Sequence, residues 1–171
     1  TLKFDDESTF DDIISQLTPS RKQTALAVVE LYTRLKTKNN SNRIIRSSED
    51  IYNLMYPLLV NVQVEEFWAI YLNARNKVLF KQRISIGGIT DTPVDVRRIF
   101  ATALEKNAVS IAVAHNHPTG HLSPSKEDKN LTCRILDAGK ILNIQLRDHI
   151  IVGIGDNNQP DYFSFYDNGL I

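Results

Sequence analysis

Residues 109–128 read VSIAVAHNHPTGHLSPSKED. The stretch opens on a short apolar run, 109–114, of the kind found in a strand covered on both faces. His115 and His117 follow directly. In extended chain, residues i and i+2 point the same way, roughly 6.6–7 Å apart at Cα, so two imidazoles can converge on one ion. Pro118 and Gly120 then bend the chain away from the sheet. Ser125 is placed to cap a helix, with Asp128 three residues in, where its carboxylate faces back toward the loop. Two neutral nitrogens and one carboxylate around an open fourth position is the pattern of a catalytic zinc site. The same Ser and Asp also satisfy a plain capping box, and the two roles do not conflict.

Outward from this stretch the chain is a mixture of helices and strands. SKEDKNLTCRILDAGKIL continues as a helix, and TPVDVRRIFATALEKN (92–107) is amphipathic. VEEFWAIYLN (64–73) and KVLFKQRISIGG (77–88) flank a short turn and predict a hairpin. Ser47 or Ser48 caps a helix with Ile51, Leu54, Met55 and Leu58 inward. NIQLRDHIIVG and DYFSFYDNGLI supply further strands and a tail. The fold class is α/β (α+β), with helices packed around one mixed sheet.

The first 46 residues contain no glycine; Ser8 with Asp11 caps FDDIISQL, and Thr18-Pro19 opens a second helix. Ala25, Val28, Val29, Tyr32 and Leu35 form its apolar stripe. KTKNNSNR (36–43) is the linker candidate, dividing an N-terminal helical extension (1–42) from the domain at 43–171. Residues 18–46 carry seven Lys/Arg against one Glu, yet the whole chain balances 20 basic against 20 acidic residues. Nucleic-acid binding is therefore expected to be weak, nonspecific and steeply salt-dependent. No apolar run approaches the roughly 18 residues of a membrane span. TLKFDDESTF has neither the basic nor the apolar region of a signal peptide. Cys133 is the single cysteine, which excludes an internal disulfide and fits a reducing, cytoplasmic setting. We expect Cys133 in the core, His149 as a structural residue beside the sheet, and His121 exposed or facing substrate. Asn116 is expected to point away from its His neighbours and to stabilise the loop.

HNHPTGHLSPSKED resembles the H-x-H-P-x6-S-x-x-D signature of the JAB/MPN (JAMM) metalloproteases. Its Asn between the histidines and its Pro-Ser step resemble the RadC branch. EEFWAIYLN, NKVL, ISIGG, NAVSIAVAHNHP, DAGKILNIQLRDHIIVG and SFYDNGLI are similar to RadC sequences as well. The resemblance covers residues 43–171. It implies a JAMM three-layer fold, His115, His117 and Asp128 as ligands to one zinc, and hydrolysis of a peptide or isopeptide bond. It also implies a Glu as general base, and Ser125 supporting the tetrahedral intermediate. Periodicity leaves Glu65 and Glu66 open, because both faces of the strand are apolar. The resemblance places the base two residues before the Phe of F…LN, which selects Glu65 and leaves Glu66 a solvated residue at the strand entrance. RadC proteins often carry an upstream helix-hairpin-helix-like segment, and residues 1–46 lack its glycine hairpin. The family's association with DNA repair lies in its name. Two rival classes are a binding module that keeps the fold without catalysis, and a nucleic-acid-associated factor using residues 18–46.

Overall fold

The computed structural model describes residues 17–28, 43–60, 62–87, 94–155 and 159–171. The chain divides between Asn39 and Asn40 into two units. In the first, residues 19–28 are helical, with Ala25 half-buried and Val28 exposed. The expected cap at Ser8, the rest of the stripe (Val29, Tyr32 and Leu35) and nearly all of the linker lie outside the described residues.

In the second unit, five strands form one mixed sheet in the order β2-β1-β3-β4-β5. They are β1 (Glu66–Leu72), β2 (Val78–Ile86), β3 (Ser110–Asn116), β4 (Gln145–Ile154) and β5 (Pro160–Ser164). The β1–β2 hairpin is antiparallel, β1 also pairs antiparallel with β3, and β3 runs parallel to β4. The parallel step needs a crossover, and the helix after the His loop supplies it.

Three helices cover the two faces: α1 (Ser48–Leu59), α2 (Val96–Glu105) and α3 (Lys126–Leu142). α1 lays Ile51, Leu54, Met55 and Leu59 against Ile70, Leu72, Ala112, Ala114, Ile150 and Val152. Leu58 packs against this cluster as expected but is only partly buried, and Leu59 is the fully buried residue of the last turn. On the opposite face Ile99, Phe100 and Ala103 of α2 and Ile135 of α3 pack on Phe67, Ala69, Tyr71, Ile111 and Val113. β3 is buried at every position, as its apolar run requires when helices cover both faces. The resulting three-layer arrangement is the expected one.

β4 carries one irregularity, and it sets the direction of His149. Between the pairs Ile111–Leu146 and Val113–His149, β3 advances two residues while β4 advances three. Such a bulge reverses which residues face which layer. Leu146 and His149 therefore both face the α2–α3 side, while Ile150 and Val152 face α1. The His149 amide donates to Asp148 Oδ1 at 2.7 Å, so the irregular backbone leaves no orphan donor there.

Candidate metal centre

β3 delivers His115 at its end, fully buried and paired across from Phe67. The Phe67 ring stacks on the imidazole with centroids 5.8 Å apart. His117 lies just beyond the strand and Asp128 in the first turn of α3. Their donor atoms converge. His115 Nε2 is 3.0 Å from His117 Nε2 and 3.2 Å from Asp128 Oδ1, and His117 Nε2 is 3.4 Å from Asp128 Oδ2. Donors about 2.0–2.1 Å from a tetrahedrally coordinated ion stand roughly 3.3 Å from one another, and the two contacts of His115 Nε2, to His117 Nε2 and to Asp128 Oδ1, are close to that spacing. His115, His117 and Asp128 thus form a cluster that could hold a metal ion.

The proton inventory tests the fit. His117 Nδ1 lies 2.7 Å from the His121 carbonyl, which can only accept, so Nδ1 carries the proton. In neutral His117 the bare lone pair is then on Nε2, aimed at His115 and the carboxylate. A nitrogen pair at this distance beside a carboxylate needs positive charge between its members, either a proton or a cation. A divalent metal suits this donor set.

Asp128 is mounted by a complete capping box. Its amide donates to Ser125 Oγ at 3.0 Å, while the Ser125 amide and hydroxyl donate to Asp128 Oδ2 at 2.8 and 2.6 Å. Oδ1 stays free to face His115. Burial pushes the Asp128 carboxyl up, but the contacts with His115 and His117 and the hydrogen bond from Ser125 outweigh it. The carboxyl is held far below its ordinary range. His117 moves up, chiefly through its bond to Asp128; burial opposes this, and the His121 carbonyl and the charges of Asp128 and Glu65 add to it.

These shifts set a pH dependence for the metal-free protein. A raised imidazole contributes stability that is complete below its unfolded value and lost as pH rises through the folded one. The lowered carboxyl contributes above the unfolded carboxylate value and loses this only in strong acid. With chelator present, the stability advantage of the wild type over His117→Ala should shrink as pH rises from about 6 to about 8; the comparison cancels His149, whose buried neutral ring adds a slope of the opposite sign. Affinity for a divalent ion should rise over the same range, because the proton must leave before the ion enters. Scanning calorimetry of the wild type and His117→Ala, with and without chelator, measures both, and an advantage that grows with pH in chelator would refute the assignment.

The loop that carries His117 is clasped to β4. Gly120 has φ +77°, a conformation glycine adopts freely, and its carbonyl accepts from the Ile154 amide at 2.8 Å. A Cβ built on Gly153 would sit 2.3 Å from that carbonyl oxygen. Gly153→Ala should therefore push the loop off β4 and shift the His121 carbonyl that orients His117. We expect a loss of about 1–3 kcal/mol from overpacking, together with weaker metal binding. Denaturant melts and a chelator competition would check it; unchanged values would show that the loop yields without consequence.

The model of the RadC-like JAB domain matches residues 45–170. The chain belongs to this family. It is 37% identical over 158 residues to a "UPF0758 protein" of Flavobacterium johnsoniae, covering 92% of this chain and 62% of the relative. A "UPF0758 protein" of Methanosarcina mazei is 38% identical over 146 residues, 85% of this chain and 62% of the relative. One from Methanococcoides burtonii is 35% identical over 165 residues, 92% of this chain and 70% of the relative. The chain spans about 62% of the length of the first two.

In this RadC-like domain the two neighbouring glutamates part company. Glu65 is exposed, shares the face of Phe67 and His115, and contributes to the rise of His117. Its carbonyl accepts from the Gly87 amide at 2.6 Å, where a Cβ on Gly87 would press on Glu65 Cβ at 3.2 Å. Glu66 is not the solvated residue expected. It is 6% exposed on the opposite face, bound by Arg83 at 2.6 Å and by Trp68 Nε1 at 2.9 Å. Arg83 comes from β2, a cross-strand partner that periodicity does not reveal.

Asn116 points away from its neighbours, as expected, and ties the lead-in to β1. Its Oδ1 accepts from the Glu66 amide at 2.9 Å, and its Nδ2 donates to the carbonyls of Val64 and Val62 at 3.0 and 3.3 Å. The His121 side chain is exposed, while its carbonyl orients His117. Cys133 is exposed rather than in the core, since α3 buries the row Asp128, Thr132, Ile135 and Gly139, one position away. His149 is directly behind His115 rather than merely beside the sheet: its Nε2 is 2.8 Å from His115 Nδ1. A cleft of about 1100 Å³ lies elsewhere, lined by Arg46, Lys140, Arg147, Asp148 and Tyr162 among others, and contains no member of the cluster.

Proposed function

We propose that this domain is a zinc-dependent hydrolase of the JAMM type that cleaves a peptide or isopeptide bond. The observation that carries the reading is the triangle of His115, His117 and Asp128 donors, with the Glu65 carboxylate on the same face. When bound there, zinc supplies Lewis-acid polarisation of a carbonyl and a more acidic water. Glu65 accepts the proton of the attacking water and hands it to the departing amine. His115 and His117 present Nε2, each oriented through its own Nδ1. Asp128 offers Oδ1 while the capping box holds Oδ2. The Ser125 amide alone can keep Oδ2 in place when the hydroxyl proton turns to a developing oxyanion. The substrate would be a peptide or protein chain.

Among the described residues no helix is long and apolar enough to cross a membrane. A cytoplasmic setting is part of the proposal, supported by the single free cysteine. The test is metal analysis of protein purified without chelator, followed by a screen of linear and isopeptide-linked substrates. Stoichiometric zinc with chelator-sensitive cleavage supports the reading. Zinc uptake without any cleavage would favour a binding module, and no uptake would remove the site.

A further inference from the structure

We infer that His149 and Thr132 form a buried relay that fixes the tautomer of His115, so that Nε2 presents a bare lone pair to the metal centre. The inference rests on the reading of His115 as a ligand. It adds two positioning residues that belong neither to the H-x-H-P nor to the S-x-x-D part of the motif.

The direction of each bond follows from what its atoms can do. Thr132 Oγ1 lies 2.6 Å from the main-chain carbonyl of Asp128. Two oxygens this close need a proton between them, and only the hydroxyl has one to give. Thr132 Oγ1 is also 2.7 Å from His149 Nδ1. With its own proton committed, the hydroxyl accepts here, so His149 is protonated on Nδ1. His149 is fully buried, and its two ring contacts, Thr132 Oγ1 at Nδ1 and His115 Nδ1 at Nε2, are both met by a single ring proton, so the uncharged ring fits the site. Its Nε2 is then a bare acceptor, 2.8 Å from His115 Nδ1. That contact requires the proton on His115 Nδ1, which leaves Nε2 unprotonated beside His117 and Asp128.

The relay starts on the backbone of one ligand, Asp128, and ends on another, His115. It joins the first turn of α3 to the end of β3 through a residue of β4. The rings leave His149 little freedom to turn: Phe165 stacks on it at 4.6 Å and Phe67 meets it edge-on at 5.5 Å. The bulge in β4 is what turns His149 toward this layer. A carboxylate or carbonyl behind a ligating histidine is the common arrangement. Here a second imidazole takes that place, and its own tautomer must be set by Thr132.

The test compares zinc affinity, by competition with a chromophoric chelator, in the wild type, His149→Leu, His149→Gln and Thr132→Val. His149→Leu should bind about 10–100-fold more weakly, the usual cost of losing an outer partner of a ligand. His149→Gln, whose carbonyl can still accept from His115 Nδ1, should recover most of that loss. Thr132→Val should weaken binding as well, because His149 is then free to exchange tautomers. Equal affinity in folded His149→Leu and wild type overturns the relay. Nitrogen-15 NMR of the imidazoles in the unsubstituted protein gives a readout independent of folding in the variants and of metal. It should show His149 protonated at Nδ1 and bare at Nε2, and a proton found on His149 Nε2 also overturns the relay. A wild type that binds no zinc would instead sink the metal reading, with the NMR tautomer still deciding the relay.

Discussion

His117→Ala should leave the domain folded and its metal centre empty. His117 is the most accessible of the three donors, 15% exposed on a loop rather than inside the sheet, so little core packing depends on it. Its removal leaves two donors, a buried imidazole and a carboxylate, where three are needed to hold an ion in an open site. The drop in zinc affinity should exceed the roughly 10–100-fold cost of losing an outer partner. Metal analysis of protein purified without chelator should fall from about one equivalent to near none. The chelator-treated variant and wild type should melt within a degree or two of each other at about pH 8, where the His117–Asp128 attraction is weakest. Full zinc occupancy in this variant would sink the site as drawn.

Glu65→Gln should keep the metal and lose the reaction. The substitution preserves size and much of the hydrogen bonding but cannot accept a proton. Turnover should fall by about 10²–10⁴-fold, the usual contribution of a positioned general base. Zinc binding should stay close to wild type, because Glu65 reaches the centre only through its charge. Glu66→Gln is the control with the opposite profile. It removes a buried charge that binds Arg83 and Trp68, so it should lower stability by about 1–3 kcal/mol with turnover intact. Kinetics and denaturant melts on both proteins separate the outcomes. A dead Glu66→Gln beside an active Glu65→Gln would place the base on the other face of β1.

The three donors of the centre were legible because their signals are local. His115 and His117 are two apart at a strand end, and Asp128 is three residues past its helix cap, so each is aimed by its own element, while the clasp of the loop on β4 brings the two elements together. The layers were legible for the same reason, since an apolar β3 demands covering on both faces. What escaped depends on neighbours distant in the chain. His149 takes its orientation from a bulge in β4, and no alternation pattern marks where a strand gains a residue. Glu66 is buried through Arg83, 17 residues away on the adjoining strand. Cys133 shows how narrow the buried row of a helix is, since one position separates it from Thr132. His121 contributes through its carbonyl, which every residue has and no motif can flag.

Asn116 bears on how the protein comes off the ribosome. Its side chain holds the backbone beside Glu65, yet it lies 50 residues further along the chain than Glu66. Closing that distance carries a loop entropy that only the docking of β3 onto β1 can offset. A nascent chain that has released β1 and β2 alone has the Gly87 amide on the Glu65 carbonyl but lacks the Asn116 clasp on the residues to either side. When β3 arrives, Asn116 and His115 come together, because they are adjacent residues. The lead-in to β1 and the first histidine of the cluster are thus set down in a single step, and a chain that stops short of β3 has neither in place.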